Sequence, residues 1–240
     1  MEKPLTLVGH LNELRKRIII SLVSLGILTI FSLAFSSYVL KILKLPAGGL
    51  IEKLVFFSPQ EGLVIYMRVA FLCGLIISMP VILYQVWAFI APALEENTRR
   101  SACLFIIFCS LFFIIGCLFA YFILIPPALK FLLSFGKEDL EPVISASKYI
   151  SFVTTLILGC GLVFQMPILS LILTKAGIIN PKILRKKYKY AVVIILIAAA
   201  VITPTPDAFN MLLLACPMIF LYEISIWVSF FAKPRQKVAE

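Results

Sequence analysis

Charged side chains are scarce in this sequence. Asp, Glu, Lys and Arg make up 14% of its 240 residues, whereas about 25% is usual for a soluble domain. Apolar residues reach 62%, and the mean hydropathy is +1.07. Because one soluble core could not bury so much apolar surface, part of that surface must face lipid. The sequence therefore predicts a membrane protein with little room for a soluble domain.

Residues typical of metal sites and catalytic sites are also few. His10 is the only histidine, and the six cysteines lie inside apolar runs without a Cys-x-x-Cys pair. This pattern argues against a zinc site and against a disulfide framework. The sequence has no glycine-rich phosphate loop and no Ser–His pairing. We therefore predict that the protein is not an enzyme and uses neither a metal nor another cofactor.

Acidic residues are outnumbered by basic ones, 12 to 22, which gives a net charge of +10. A nucleic-acid interface would need a basic stripe on a water-exposed domain, and the composition leaves no such domain. The basic residues lie instead in short clusters between apolar runs, as membrane orientation signals do. We predict no nucleic-acid partner.

Long apolar runs give the predicted membrane spans, since about 20 residues cross 30 Å of hydrocarbon. The first four are Ile18–Leu40, Leu63–Leu94 (which contains Arg68), Ser101–Leu129 and Tyr149–Thr174. The first run follows a basic start, as in a signal peptide. Its 23 residues exceed the apolar core of a signal peptide and predict a retained helix.

The last apolar region is divided by a turn sequence, Thr203–Asp207, into Tyr190–Thr203 and Ala208–Ala232. The first part has 14 residues, roughly 21 Å of helix. Two short spans and a re-entrant hairpin both fit, and either one returns the chain to the side that it left. The predicted fold class is all-α: a single domain, residues 1–240, with six transmembrane helices of which the last two are short.

Lys and Arg are divided unequally between the two predicted sides of the membrane. One side holds the N-terminal segment with four, the second loop with two, residues 175–189 with six and the tail with three, which makes 15, whereas the other side holds six. Cytoplasmic loops are the ones enriched in Lys and Arg, so we expect both termini in the cytoplasm.

The N-terminal segment, residues 1–17, has an amphipathic pattern. In a helix, Leu7, Leu11 and Leu14 lie on one face, which predicts a segment at the membrane surface.

Two charged side chains lie inside predicted spans, where an ionised group costs about 2.5–3.5 kcal/mol and needs a partner or water. Arg68 is near Glu61 and is expected to reach outward. Glu223 lies deeper, and structural and functional roles are both open for it. Gln165 needs a hydrogen-bond acceptor, and the carbonyl freed by Pro167 is one.

Two acidic residues outside the spans also have two interpretations each. Glu13 lies among basic residues, where it either balances Arg17 at i+4 or binds a partner. Asp207 either caps the helix that follows it or takes part in function, and these two roles are compatible.

Five segments carry a family resemblance. They are His10–Arg17 (HLNELRKR), Pro80–Leu94 (PVILYQVWAFIAPAL), Phe119–Phe122 with Pro126, Ile202–Asp207 (ITPTPD) and Leu221–Ser225 (LYEIS). These segments resemble the TatC family, the multi-span component of the twin-arginine translocase, and the resemblance extends over nearly the whole chain. The long Pro80–Leu94 segment is the most specific of them.

The resemblance implies a cupped six-helix receptor in a bacterial inner membrane. It implies binding of signal peptides with paired arginines and export of folded proteins by the proton-motive force. The implied partners are the single-span translocase subunits TatA and TatB and further TatC chains, with membrane lipid around them. The implied signal-peptide positions are Glu13, Arg15, Phe89 and Thr98, and the implied translocation positions are Pro46, Gln165 and Asp207, to which the membrane depth of Glu223 adds a fourth candidate.

Two positions depart from the family pattern, which has Glu where this chain has Thr98 and Gln165. If the loop begins helically, Glu95 lies at i−3 from Thr98 and shares its face, so that Glu95 or Glu96 can supply the carboxylate. A carboxylate holds an arginine by two hydrogen bonds, which lysine cannot match. We predict that Glu13 with Glu95 or Glu96 forms the recognition site, and that no proton carrier is required at Gln165.

A small-solute secondary transporter and a non-transporting assembly scaffold are the alternatives. Transporters usually place ionisable groups or broken helices at the midplane, often within inverted repeats. The deep polar residues of this chain are few. Loss of export when the Arg-Arg pair of a signal becomes Lys-Lys would separate the receptor from both alternatives.

Overall fold

The structure, a computed structural model, describes residues 7–48, 51, 54–91, 102–135 and 143–232. Within these residues, five helical stretches are long and apolar enough to cross a membrane, and Tyr188–Ile202 is a shorter apolar helix. The α-helices are α1 (Leu7–Leu33), α2 (Ser36–Lys44), α3 (Glu61–Ile90), α4 (Ala102–Phe119), α5 (Ile125–Ser134), α6 (Ala146–Val163), α7 (Met166–Lys175), α8 (Pro181–Lys186), α9 (Tyr188–Ile202) and α10 (Ala208–Phe231).

The first helix differs from the prediction at both ends. α1 begins at Leu7, so the N-terminal amphipathic segment continues directly into the first span. The predicted span Ile18–Leu40 is interrupted after Leu33, and α2 follows it. At the break, the Phe35 N–H bonds to the Ser32 carbonyl at 3.1 Å, and the Ser36 hydroxyl donates to the Leu33 carbonyl at 2.7 Å. These local bonds compete with the helical pattern, and neither proline nor glycine marks the break in the sequence.

The third predicted span is one long helical stretch that changes its winding. A π-helical turn, Ala120–Leu124, joins α4 to α5. Pro126 and Pro127 follow at once, and a proline both lacks an N–H and collides with the carbonyl four residues before it. The wider π turn accommodates these two residues without ending the helix.

The fourth predicted span is divided at Phe164 and Gln165, between α6 and α7. Pro167 lies in the first turn of α7, where its missing N–H costs nothing because no intrahelical acceptor is needed there. The break therefore follows from the proline and re-aims the chain within the bundle.

The last two helices meet at the predicted turn. α9 has 15 residues, which is short for a span, whereas α10 has 24 residues, roughly 36 Å at 1.5 Å per residue. Only α9 is therefore short. α10 keeps its length because Pro217 is accommodated inside it.

Small and hydroxyl side chains join the helices. A Cβ on Gly74 of α3 would lie 2.7 Å from the Cα and N of Thr29, so α1 and α3 are in backbone contact there. Between α7 and α10, the Ser170 hydroxyl donates to the Ser225 carbonyl at 3.1 Å, and one turn further Thr174 and Ser229 share a hydrogen bond of 2.5 Å. Such contacts are the usual means of helix association in lipid.

One end of the bundle, here named the strand end, holds two short strands, Leu54–Val55 (β1) and Ile144–Ser145 (β2), which pair in parallel. The Tyr149 hydroxyl fastens the last turn of α2 to this end by donating to the Leu43 carbonyl at 2.7 Å. The opposite end, here named the N-terminal end, holds the start of α1 and the last turn of α3. Glu13 and Phe89 lie at the N-terminal end, whereas Pro46 and Asp207 lie at the strand end.

Candidate functional site

Glu13 and Phe89 lie at the same level of the bundle. The contact between Thr29 and Gly74 fixes the register of α1 against α3. Glu13 precedes Thr29 by 16 residues and Phe89 follows Gly74 by 15, which corresponds to roughly 24 and 22 Å of helix. Because the two helices are antiparallel, both side chains reach the N-terminal end together.

Glu13 is held by a neighbour on its own helix. Arg17 donates to Glu13 Oε1 through Nε at 3.2 Å and through Nη2. The Glu13 and Arg17 side chains are 24% and 21% exposed, and Arg15 beside them is exposed. The predicted local ion pair is therefore confirmed. A partly exposed i,i+4 pair of this kind contributes only about 0.3–0.5 kcal/mol.

The structure describes one of the other predicted signal-peptide positions on the α3 side, Phe89, and three positions lie outside the described residues. Phe89 lies in the last turn of α3 and is half-buried. Glu95, Glu96 and Thr98 lie outside the described residues. Their segment joins α3 to α4, so both of its ends, Ala91 and Ala102, belong to the N-terminal end.

An apolar cavity of about 310 Å³ lies at the same end, between α3, α4, α7 and α10. Trp87 forms part of its wall and stacks on Phe105 with ring centroids 4.3 Å apart. Lys175, the last residue of α7, supplies the only charge among the described residues that line the cavity. Sequence reasoning missed this cavity, because its walls come from four helices far apart in the chain.

Gln165 is buried at the break between α6 and α7. Its Nε2 donates to the Cys109 carbonyl of α4 at 3.1 Å. The predicted need for an acceptor is met, although the acceptor is not the carbonyl freed by Pro167. A glutamate here could make this bond only as the neutral acid, since a carboxylate has no proton to donate.

Glu223 is half-buried on α10, eight residues before the end of the helix at Phe231. Within the described part of the chain no ion pair engages it. Its neighbour Ile224 lines the apolar cavity. Glu223 thus lies nearer to the N-terminal end than to the strand end.

Pro46 and Asp207 lie at the strand end, away from Glu13. Pro46 is half-buried in the 3₁₀ turn Leu45–Ala47 that follows α2. Asp207 caps α10, because its Oδ1 accepts from the Asn210 N–H at 2.7 Å and its Oδ2 from Asn210 Nδ2 at 2.9 Å. Desolvation opposes the charged carboxylate, but hydrogen bonds with Thr205 and Asn210 outweigh it and lower the pKa of Asp207.

Similarity to known proteins identifies the family. The family model described as Sec-independent protein translocase protein (TatC) matches residues 9–217. The chain belongs to the TatC family. The TatC chain of Carboxydothermus hydrogenoformans is 39% identical over 235 residues, which cover 98% of this chain and 97% of that protein. The TatC chain of Aquifex aeolicus is 41% identical over 235 residues, with 96% and 97% covered.

A solved structure gives the same result. The crystal structure of a twin-arginine translocase receptor TatC matches this chain with a TM-score of 0.84 and 41% identity, over 93% of this chain and 99% of that one. This TatC chain is therefore a polytopic helical membrane protein, and the resemblance drawn from five sequence segments is confirmed.

Proposed function

We propose that this TatC chain is the receptor of a twin-arginine protein translocase in a bacterial cytoplasmic membrane. It captures signal peptides with paired arginines and passes folded proteins to an export path driven by the proton-motive force. Its role is binding and assembly, not catalysis. Its partners are the single-span translocase subunits TatA and TatB and further TatC chains.

The orientation in this proposal follows from charge. The side with 15 Lys and Arg against six is the cytoplasmic one, which places both termini and the N-terminal end of the bundle in the cytoplasm. The strand end, with Pro46 and Asp207, then faces outward. A cytoplasmic signal peptide can therefore reach Glu13 without crossing the membrane.

The observation that carries the proposal is the common level of Glu13 and Phe89. An export signal places a basic segment directly before an apolar one, and the N-terminal end offers a matching pair of features. The carboxylate of Glu13 takes a guanidinium in exchange for Arg17, with Glu95 or Glu96 as the second acid. The cavity beside Trp87 has an apolar lining, which suits the apolar segment that follows the arginine pair of the signal peptide.

An export assay tests this function. The chain is expressed in a strain without its own TatC, and a folded fluorescent reporter follows a signal with either Arg-Arg or Lys-Lys. We expect export with Arg-Arg, loss with Lys-Lys, and strong reduction by Glu13→Gln. Glu61→Gln, which removes a carboxylate at the strand end, serves as the control and should export normally. Equal export behind both signals would exclude the receptor role.

A further inference from the structure

We propose that a groove between α1, α3 and α6 binds one phospholipid of the leaflet at the strand end, with the phosphate on Arg68. The groove encloses about 520 Å³. This inference depends on the membrane location of the chain and not on its role as a receptor. None of the positions predicted for signal peptides or translocation lines the groove.

Arg68 is a cation without an acidic partner in the described part of the chain. It is exposed, and the ion pair found among the described residues is that of Glu13 with Arg17. Glu61, two turns closer to the strand end on the same face of α3, accepts instead from the Phe57 N–H at 3.3 Å. Arg68 is seven residues inside α3, roughly 10 Å below its start, and a charge at that depth requires a counter-ion or water.

Two hydroxyls in the same groove, those of Ser151 and Thr155, also have no hydrogen-bond partner among the described residues. Both belong to α6 and lie about one helical turn apart. Hydroxyls in membrane helices commonly bond to the carbonyl three or four residues back, as Thr154 does to Ile150 at 2.7 Å. Donors left over around one cavity indicate a ligand that supplies several acceptor oxygens.

The α6 wall of the groove changes from polar to apolar along its length, because Ser151, Thr154 and Thr155 are followed by Leu158. On α3, Arg68 lies among Val64, Met67 and Phe71. Since α6 begins at the strand end, its polar residues lie nearer to that membrane surface and Leu158 lies deeper. A phospholipid has the same order: phosphate, ester carbonyls, then acyl chains. A single carboxylate on a partner helix would satisfy Arg68 but would leave the hydroxyls of Ser151 and Thr155 without an acceptor.

Further positive charge lies at the mouth of the groove. Lys148 is exposed in the first turn of α6, three residues before Ser151 and therefore on the same face. Basic pockets between membrane helices favour anionic head groups. We therefore infer an anionic phospholipid such as phosphatidylglycerol as the preferred ligand.

The test is lipid retention by the purified full chain in detergent, measured by native mass spectrometry with added phosphatidylglycerol. The wild-type chain should retain one lipid molecule, and Arg68→Gln should weaken retention at least tenfold. Thr155→Val, which keeps the shape and the cation, should weaken it severalfold. Arg185→Gln makes the same chemical change at an exposed arginine of α8, at the opposite end, and should have no effect.

Three outcomes would overturn the proposal. Unchanged retention in both Arg68→Gln and Thr155→Val would show that the lipid binds elsewhere. Competition by inorganic phosphate at equal concentration would show a simple anion site. Photo-crosslinking from position 67 to a partner protein, with no lipid retained by the wild type, would show a helix-docking groove. Size-exclusion profiles equal to the wild type would show that each variant is folded.

Discussion

At the residue scale, most buried polar side chains in the described part of the chain are engaged by backbone groups, as buried polar groups must be. Gln165 holds the Cys109 carbonyl, and Asp207 holds the Asn210 N–H. Glu13 differs because an arginine on its own helix engages it in a partly exposed ion pair. An exchangeable partner of this kind is suited to a binding site for arginine.

The first prediction concerns Arg17. Arg17→Gln removes the guanidinium that competes with the signal peptide for Glu13. Since the pair contributes about 0.3–0.5 kcal/mol, binding of an Arg-Arg signal peptide should tighten about twofold. Fluorescence anisotropy with a labelled peptide measures this change. Weaker binding would show instead that Arg17 positions Glu13, and Lys16→Gln controls for the loss of one positive charge.

A second prediction concerns Gln165. Gln165→Leu removes one buried hydrogen bond and should lower the free energy of unfolding by about 1 kcal/mol. Gln165→Glu can donate this bond only as the neutral acid, since a carboxylate has no proton to donate. Its stability relative to wild type should then fall as the pH rises above about 4.3, the pKa of an unperturbed Glu. Thermal unfolding in detergent between pH 4 and 8 measures both variants, and a pH-independent difference would contradict this account.

At the scale of the elements, one close contact sets the geometry of the site. α1 has few buried residues and depends on α3 for its position. Because Thr29 and Gly74 touch through the backbone, that contact determines where Glu13 lies relative to Phe89. The helix pair, and not the loops, brings these two residues to one level.

The third prediction tests this contact. In Gly74→Ala the new Cβ would lie 2.7 Å from the Cα and N of Thr29, so α1 must move. Overpacking of this kind costs about 1–3 kcal/mol, and Arg-Arg peptide binding should weaken with it. Gly26→Ala is the matched control on α1, since nothing lies within 4 Å of its Cβ. Equal effects of the two substitutions on unfolding and binding would contradict the assigned register.

The fourth prediction concerns the cap of α10. Asp207→Ala should cost about 1 kcal/mol of stability, the usual effect of losing an N-cap. The lowered pKa of Asp207 means that its contribution is present above the ordinary value of 3.8 and is lost as the pH falls through the folded-state value. The difference between wild type and Asp207→Ala should therefore shrink below about pH 4. Asp207→Asn keeps the acceptor without titrating and should show no such pH dependence.

At the scale of the whole molecule, the spans could be predicted from the sequence. Helices that face lipid must be long and apolar, and such runs are visible without knowledge of the fold. α9 and α10 begin and end within two residues of their predicted limits, and Pro167 breaks the fourth span where a proline is expected to act. The break after Leu33 and the partner of Gln165 were not predictable, because serine–carbonyl bonds and contacts between distant helices leave no periodic signal. The groove at Arg68 was missed for the same reason, since its walls come from α1, α3 and α6, which are far apart in the chain.

The most direct test of the receptor account is capture of an Arg-Arg signal peptide by a chain with three acids neutralised. Glu13→Gln, Glu95→Gln and Glu96→Gln are combined in the full chain, and peptide affinity is compared with that of the wild type and of Glu61→Gln. We expect the triple variant to bind at least tenfold more weakly, because a carboxylate–guanidinium pair is lost, with Glu61→Gln unchanged. Wild-type affinity in the triple variant would contradict the account.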